Sequence, residues 1–135
     1  MKRILTLAAL ALSLSVAAHA DAPSGAVTPA FERPIDNIPG KKILAVVVDY
    51  PPGGQTPAHH HPASAFITGY VLSGAIRSQV DGGEVKIFHA GESWSERPGA
   101  HHQVSENASK TEPAKLLAIF IQDETDKDPL VTPEK

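Results

Sequence analysis

The stretch Pro57-Ala58-His59-His60-His61-Pro62, which runs on to Tyr70-Val71-Leu72-Ser73-Gly74, decides how this chain is read. His59 and His61 are two residues apart, and on extended backbone such residues project from the same face. Two neutral imidazoles on one face can converge on a single cation, and imidazole suits zinc, copper, iron and nickel. His60, between them, points to the opposite face and is expected to be solvated or to stand behind the pair. A second histidine-bearing segment lies downstream: Ala90-Gly91-Glu92-Ser93-Trp94, then Pro98-Gly99-Ala100-His101-His102, then Asn107. One imidazole from this segment would complete a three-histidine site with positions left open for a ligand. The competing reading is a set of surface histidines in Pro-flanked loops, with no metal.

Around these segments the chain reads as short strands separated by Gly and Pro turns. Residues 43–50 (Ile-Leu-Ala-Val-Val-Val-Asp-Tyr) are apolar and β-branched, and Pro51-Pro52-Gly53-Gly54 ends the run. Residues 66–73 and 75–80 form two further strands, with Gly74 between them as a bend or bulge. Asp81-Gly82-Gly83 is a hairpin turn, from which residues 84–88 return. Ala90-Gly91 is another turn, and residues 103–106 form a short extended piece. Residues 115–122 (Lys-Leu-Leu-Ala-Ile-Phe-Ile-Gln) are apolar on both faces, as in a strand buried within a sandwich. No helical period follows the N-terminal segment, so the expectation is an all-β sandwich or barrel. Residues 21–40, rich in Pro and Ala, read as an arm packing along the barrel or across a partner. Residues 123–135 read as a loose polar tail.

The first twenty residues carry the marks of a secretory signal: Lys2 and Arg3, an apolar run from Ile4 to Ala18, and the small-x-small site Ala18-His19-Ala20. Cleavage between Ala20 and Asp21 is expected, giving a periplasmic or secreted protein. The apolar run is short for a bilayer span and no second one follows, so no membrane association is expected after cleavage. Loss of Lys2 and Arg3 lowers the basic count from 12 to 10 against 15 acids, a net charge of −5. That balance, with no basic patch, argues against a nucleic-acid partner. The chain has no cysteine, which excludes disulfides, thiolate metal ligands and cysteine nucleophiles. Any metal must be held by histidine and oxygen ligands.

These segments resemble the two motifs of the cupin superfamily, specifically its small single-domain members. Gly53, His59, His61 and Gly74 match the first motif, and Tyr70 to Gly74 resembles its strand ending. Gly91, Pro98-Gly99, His102 and Asn107 fit the second loosely. The resemblance covers residues 41–122 and implies a jelly-roll β-barrel, often dimeric, with a divalent metal near one mouth. It departs from the family at the first-motif glutamate. Counted back from Gly74 that position falls on Ile67, and counted forward from His61 it falls on Ala65 or Phe66. No Asp or Glu occurs from Tyr50 through Val80. The ligand set expected is therefore His59, His61 and His102, with His101 as the alternative to His102. The metal is one of Fe, Mn, Ni, Cu or Zn. Such a set resembles those of the thiol and β-diketone dioxygenases among the cupins. It leaves the divalent charge uncompensated and about three octahedral positions open. A dioxygenase acting on a small anionic chelating substrate follows as one expectation. A non-catalytic cupin that binds a small ligand or metal is the other, and a homodimer is expected in either case.

Other residues are read more plainly. Glu92 and Glu96 could replace part of the missing carboxylate, but as neighbours of turns they are expected to be exposed. Gln55 is a loop residue with a remote claim as a ligand, and Asn107 a turn residue. Arg77 and Gln79 alternate on one strand face, solvated in the plainer reading and anion-binding in the other. Trp94, Phe66, Ile67, Tyr70, Val71 and Phe120 are expected to pack the barrel, and His89 to lie on the surface.

Overall fold

The computed structural model describes residues 23–135; the expected signal segment lies outside them. Among the described residues there is no helix. The strands are β1 (Ala26–Pro34), β2 (Lys41–Tyr50), β3 (Gln55–Thr56), β4 (His59–His60), β5 (Phe66–Ser73), β6 (Ala75–Val80), β7 (Lys86–His89), β8 (Ser93–Glu96), β9 (His101–Asn107), β10 (Ala114–Asp123) and β11 (Thr132–Pro133). One sheet runs β1-β2-β10-β5-β8, the other β11-β4-β9-β6-β7 with β3 also on β9, and all named pairings are antiparallel. The two sheets close over a core of Leu44, Val46, Val48, Ile67, Val71, Ile76, Leu116 and Phe120. This is a jelly-roll barrel, the all-β architecture expected from the strand pattern.

The strands at 66–73 and 75–80 coincide with their sequence ranges. Gly74 between them has φ of 71° and no room for a side chain, since a Cβ there would lie 2.7 Å from the Pro113 carbonyl oxygen. In the 81–83 turn, Asp81 (φ 51°) and Gly82 (φ 69°) both take left-handed backbone, as a type I′ hairpin requires.

Three segments differ from the sequence reading. Residues 26–34 form a full edge strand on β2, which suits Pro29 and Pro34, since an edge strand tolerates missing N–H donors. The tail is not loose: β11 pairs with β4, and Glu134 N donates to the Ala58 carbonyl (3.0 Å). Phe66 and Tyr70 do not pack the interior. Ile67 and Val71 take the inward positions of β5, so the period of two turns Phe66, Tyr70 and Leu72 outward, where they remain exposed.

Candidate metal centre

The β4–β9 ladder builds the centre. His59 lies opposite His102 and His60 opposite His101. Because successive side chains alternate, His59 and His102 enter the barrel while His60 and His101 face out. His61 follows β4 and returns to the inner face, its backbone N–H bonded to the Ala100 carbonyl at 3.0 Å. The ring centroids of His59 lie 4.7 Å from His61 and 5.1 Å from His102. One ring nitrogen from each of the three falls within 4.8 Å of the others, and all three residues are buried. The second-motif choice between His101 and His102 thus goes to His102 for the inner cluster.

Backbone carbonyls orient two of these rings. His59 Nδ1 meets the Pro57 carbonyl at 2.7 Å and His61 Nδ1 the Leu130 carbonyl at 2.7 Å. A carbonyl can only accept, so Nδ1 carries the proton in the neutral ring and Nε2 keeps its lone pair. His102 Nε2 is 2.9 Å from Ser78 Oγ.

The structure corrects the reading of Glu96. It is buried, not exposed, and stands beside the three imidazoles. Oε2 lies 3.1 Å from His61 Nε2 and Oε1 3.3 Å from His102 Nδ1. The Trp94 indole N–H donates to Oε1 at 2.9 Å. Glu96 on β8 pairs with Ile67 on β5, the position to which the family resemblance assigns the first-motif glutamate. A carboxylate missing from one strand is thus supplied by its neighbour. The sequence did hold a signal, because Trp94 and Glu96 are two apart and share a face. Gly69 makes the arrangement possible: a Cβ there would lie 2.6 Å from the Trp94 ring. Glu92, by contrast, is exposed and accepts the His89 backbone N–H at 2.6 Å.

Electrostatics follow from burial. Desolvation lowers the His102 imidazole from 6.5 to about 4, against the pull of the Glu96 charge, and it lowers His59 as well. Both rings are neutral near pH 7, as metal ligands must be. Burial alone would raise the Glu96 carboxyl, but contacts with His61, His102 and Trp94 outweigh it and hold the group below its ordinary value. His61 Nε2 and Glu96 Oε2 face each other at ion-pair distance without hydrogen-bond alignment, and both are buried. Two unpartnered lone-pair atoms beside two further imidazoles compose a donor set that would suit a cation. The residues fit a divalent transition metal held by His59, His61 and His102 with Glu96 alongside. The carboxylate would offset one of its two charges and leave fewer open positions than three histidines alone.

The other candidates fall elsewhere. Gln55 is half-buried on β3 and is not among the residues that line the cavity beside the histidines. Asn107 is a structural crosslink, its Nδ2 donating to the Pro51 (3.0 Å) and Glu112 (2.7 Å) carbonyls. Arg77 is on the outer face, paired with Glu106. His89 is exposed.

A cavity of about 110 Å³ opens beside the histidines. Val46, Val48, Leu116, Ala118 and Phe120 give it apolar walls, and Leu130 and Val131 of the C-terminal segment also line it. Sequence reasoning missed a hydroxyl group of residues on this lining: Tyr50 Oη lies 2.8 Å from Thr56 Oγ1 and 2.9 Å from Ser105 Oγ. Burial raises the Tyr50 phenol, which therefore stays protonated.

Residues 46–120 match the cupin domain family (Cupin_2), and the chain belongs to that family. Among characterised proteins it is similar to the cupin-domain-containing oxidoreductase fogC of Aspergillus ruber, 27% identical over 78 residues. The match takes in 58% of this chain and 37% of fogC, so this chain spans little more than a third of that relative. Among solved structures, TT1209 of Thermus thermophilus shares the fold, with a TM-score of 0.58 and 23% identity over 73% of this chain and 84% of that one. An oxalate oxidase in complex with the substrate analogue glycolate gives a TM-score of 0.59 and 25% identity, over 80% of this chain and 54% of that one.

Proposed function

We propose that this protein is an exported, metal-dependent cupin that oxidises or oxygenates a small anionic molecule able to chelate its metal. The observation that carries the reading is the buried convergence of His59, His61 and His102 with Glu96 at the end of an apolar-walled cavity. A bound divalent transition metal would supply Lewis-acid polarisation and, where redox-active, a route for electrons. The chain's own residues do the rest. His59 and His61 present lone pairs fixed by their Nδ1 bonds to backbone. Glu96 holds a negative charge that the Trp94 N–H orients. The cavity is small, which favours a small ligand. Its apolar walls exclude bulk water, and the protonated Tyr50 hydroxyl is a donor for a ligand oxygen. The oxidoreductase and glycolate-bound oxalate oxidase among the similar proteins support small organic acids as the first substrates to try.

A second reading is a non-catalytic binder. It is favoured by the Tyr50–Thr56–Ser105 group, which can hold a ligand but offers no base of suitable strength. Oxygen uptake separates the two. Protein reconstituted separately with Fe(II), Mn(II), Cu(II), Ni(II) or Zn(II) is mixed with oxalate, glycolate, β-diketones, catechols and thiols. Consumption dependent on a redox metal and lost in His59→Ala/His61→Ala supports the enzyme. Ligand binding without consumption under any metal supports the binder.

The outer face of the β1-to-β8 sheet is the surface we assign to a second copy of the chain. Exposed Phe31, Phe66 and Tyr70 adjoin half-buried Ile43, Leu117 and Ile121 there, a contiguous apolar patch of the kind found at subunit interfaces.

A further inference from the structure

The ladder that sends His59 and His102 inward presents His60 and His101 on the opposite surface. Their rings stack, with centroids 4.5 Å apart and planes inclined by 18°. Glu134 completes a group of three. It lies one residue beyond β11, whose pairing of Thr132 with His60 and Pro133 with His59 brings it over the two rings. Glu134 Oε1 is 3.8 Å from His60 Nε2 and in direct contact with His101 Nε2. One ligand atom from each residue lies within 4.8 Å of the other two. His101 Nε2 is itself buried and lacks an aligned hydrogen bond despite that contact. The carboxylate is thus in contact with the ring nitrogen without hydrogen-bond alignment, and a cation shared between them would satisfy both atoms.

We propose that His60, His101 and Glu134 form a second metal site, separate from the inner one, for a borderline divalent transition ion such as zinc. Two imidazoles and one carboxylate are a zinc-type donor set, whereas magnesium and calcium call for oxygen throughout. The ion joins β4 and β9 to the C-terminal segment and so acts as a clasp. Its effect reaches the inner cavity, because the clasped segment carries Leu130 and Val131 on the cavity wall and the Leu130 carbonyl that orients His61. With the clasp closed, the wall and the His61 ring are held in place. With it open, the two-residue β11 pairing, the Glu134 backbone bond, the Leu130 carbonyl's bond to His61 and the packing of Leu130 on the core retain them.

The test uses untagged protein and Zn(II) alone, titrated calorimetrically in a non-chelating buffer. His59→Ala/His61→Ala, which lacks the inner site, should still bind one equivalent. Adding His101→Ala should abolish that binding, and adding Glu134→Gln should weaken it roughly tenfold or more. Carboxypeptidase digestion gives an independent readout: Zn(II) should slow removal of the C-terminal residues in otherwise unaltered protein and have no such effect in Glu134→Gln. Should the inner-site variant fail to fold by circular dichroism, Glu134→Gln and His101→Ala in the unaltered background give the answer, each costing one of two zinc equivalents or its affinity. Zinc affinity and digestion unchanged by both substitutions would overturn the proposal, as would an inner-site variant that folds and binds no zinc.

Discussion

Glu96→Gln tests the corrected ligand set most sharply. The substitution keeps the shape of the side chain and removes one negative charge from a site whose occupant would carry two positive ones. The carboxylate is 3% exposed and lies 3.1 Å from His61 and 3.3 Å from His102, so solvent screens it little. Loss of a group that ligates or orients ligands typically costs roughly 10- to 100-fold in metal affinity, and burial puts the expectation at about 100-fold, or roughly 2.7 kcal/mol. The metal-free fold should change far less. The amide oxygen can still accept the Trp94 N–H, and the amide nitrogen can donate to His61 Nε2, so a loss of at most about 1 kcal/mol is expected. The assay is competition against a chromophoric chelator in a His101→Ala background, which silences the outer cluster, with thermal unfolding alongside. Glu92→Gln is the control and should leave affinity unchanged, because Glu92 is exposed on the far side of its turn. An unaltered Kd in Glu96→Gln with an unaltered melting temperature would refute the reasoning and reduce Glu96 to a hydrogen-bond partner of Trp94.

Gly69→Ala should force the Trp94 ring from its seat, destabilising the protein by about 1–3 kcal/mol. Trp94 is the sole tryptophan, so its fluorescence reports the shift directly, and an unmoved emission maximum would contradict the packing described. Acid should destabilise the metal-free protein through its buried neutral imidazoles. The folded His102 value of about 4 lies below its ordinary 6.5, so its contribution is fully present above 6.5 and is lost as pH falls from 6.5 toward 4. That loss is on the order of 3 kcal/mol, and His59 adds to it in the same direction. Chemical denaturation at stepped pH measures it, and flat stability from about pH 7 down to about 4.5 would count against the burial argument. Light scattering should give a dimer mass that Phe66→Glu/Tyr70→Glu converts to a monomer; a monomeric parent protein would dispose of the proposed interface. Intact-mass analysis of exported protein should begin at Asp21, and retention of Met1 would remove the case for a cleaved signal.

Much of the barrel was legible because local chemistry agreed with the fold. The β-branched runs, Gly74 and the Asp81-Gly82 turn each act within a few residues, and the structure keeps them in place. The i, i+2 spacing of His59 and His61 was enough to put both rings on one face. What stayed hidden depends on cross-strand register. Glu96 reaches the centre only because β8 pairs with β5 so that Glu96 stands opposite Ile67. The same limit applies to Phe66 and Tyr70, whose hydrophobicity suggests the core while the phase of β5 turns them outward. It applies again to Glu134, far along the chain from its histidine neighbours, in a segment too polar to announce a strand. The first motif thus led to the right fold while pointing to an absent carboxylate, because it follows one strand and the site is shared by two.

The most direct test of the central claim is the metal content of untagged protein, measured by elemental analysis after saturation and desalting, beside the His59→Ala/His61→Ala variant. With one ion held in the buried centre, the variant, folded by circular dichroism, should carry one equivalent fewer than the parent. An identical metal content in the two proteins would contradict it.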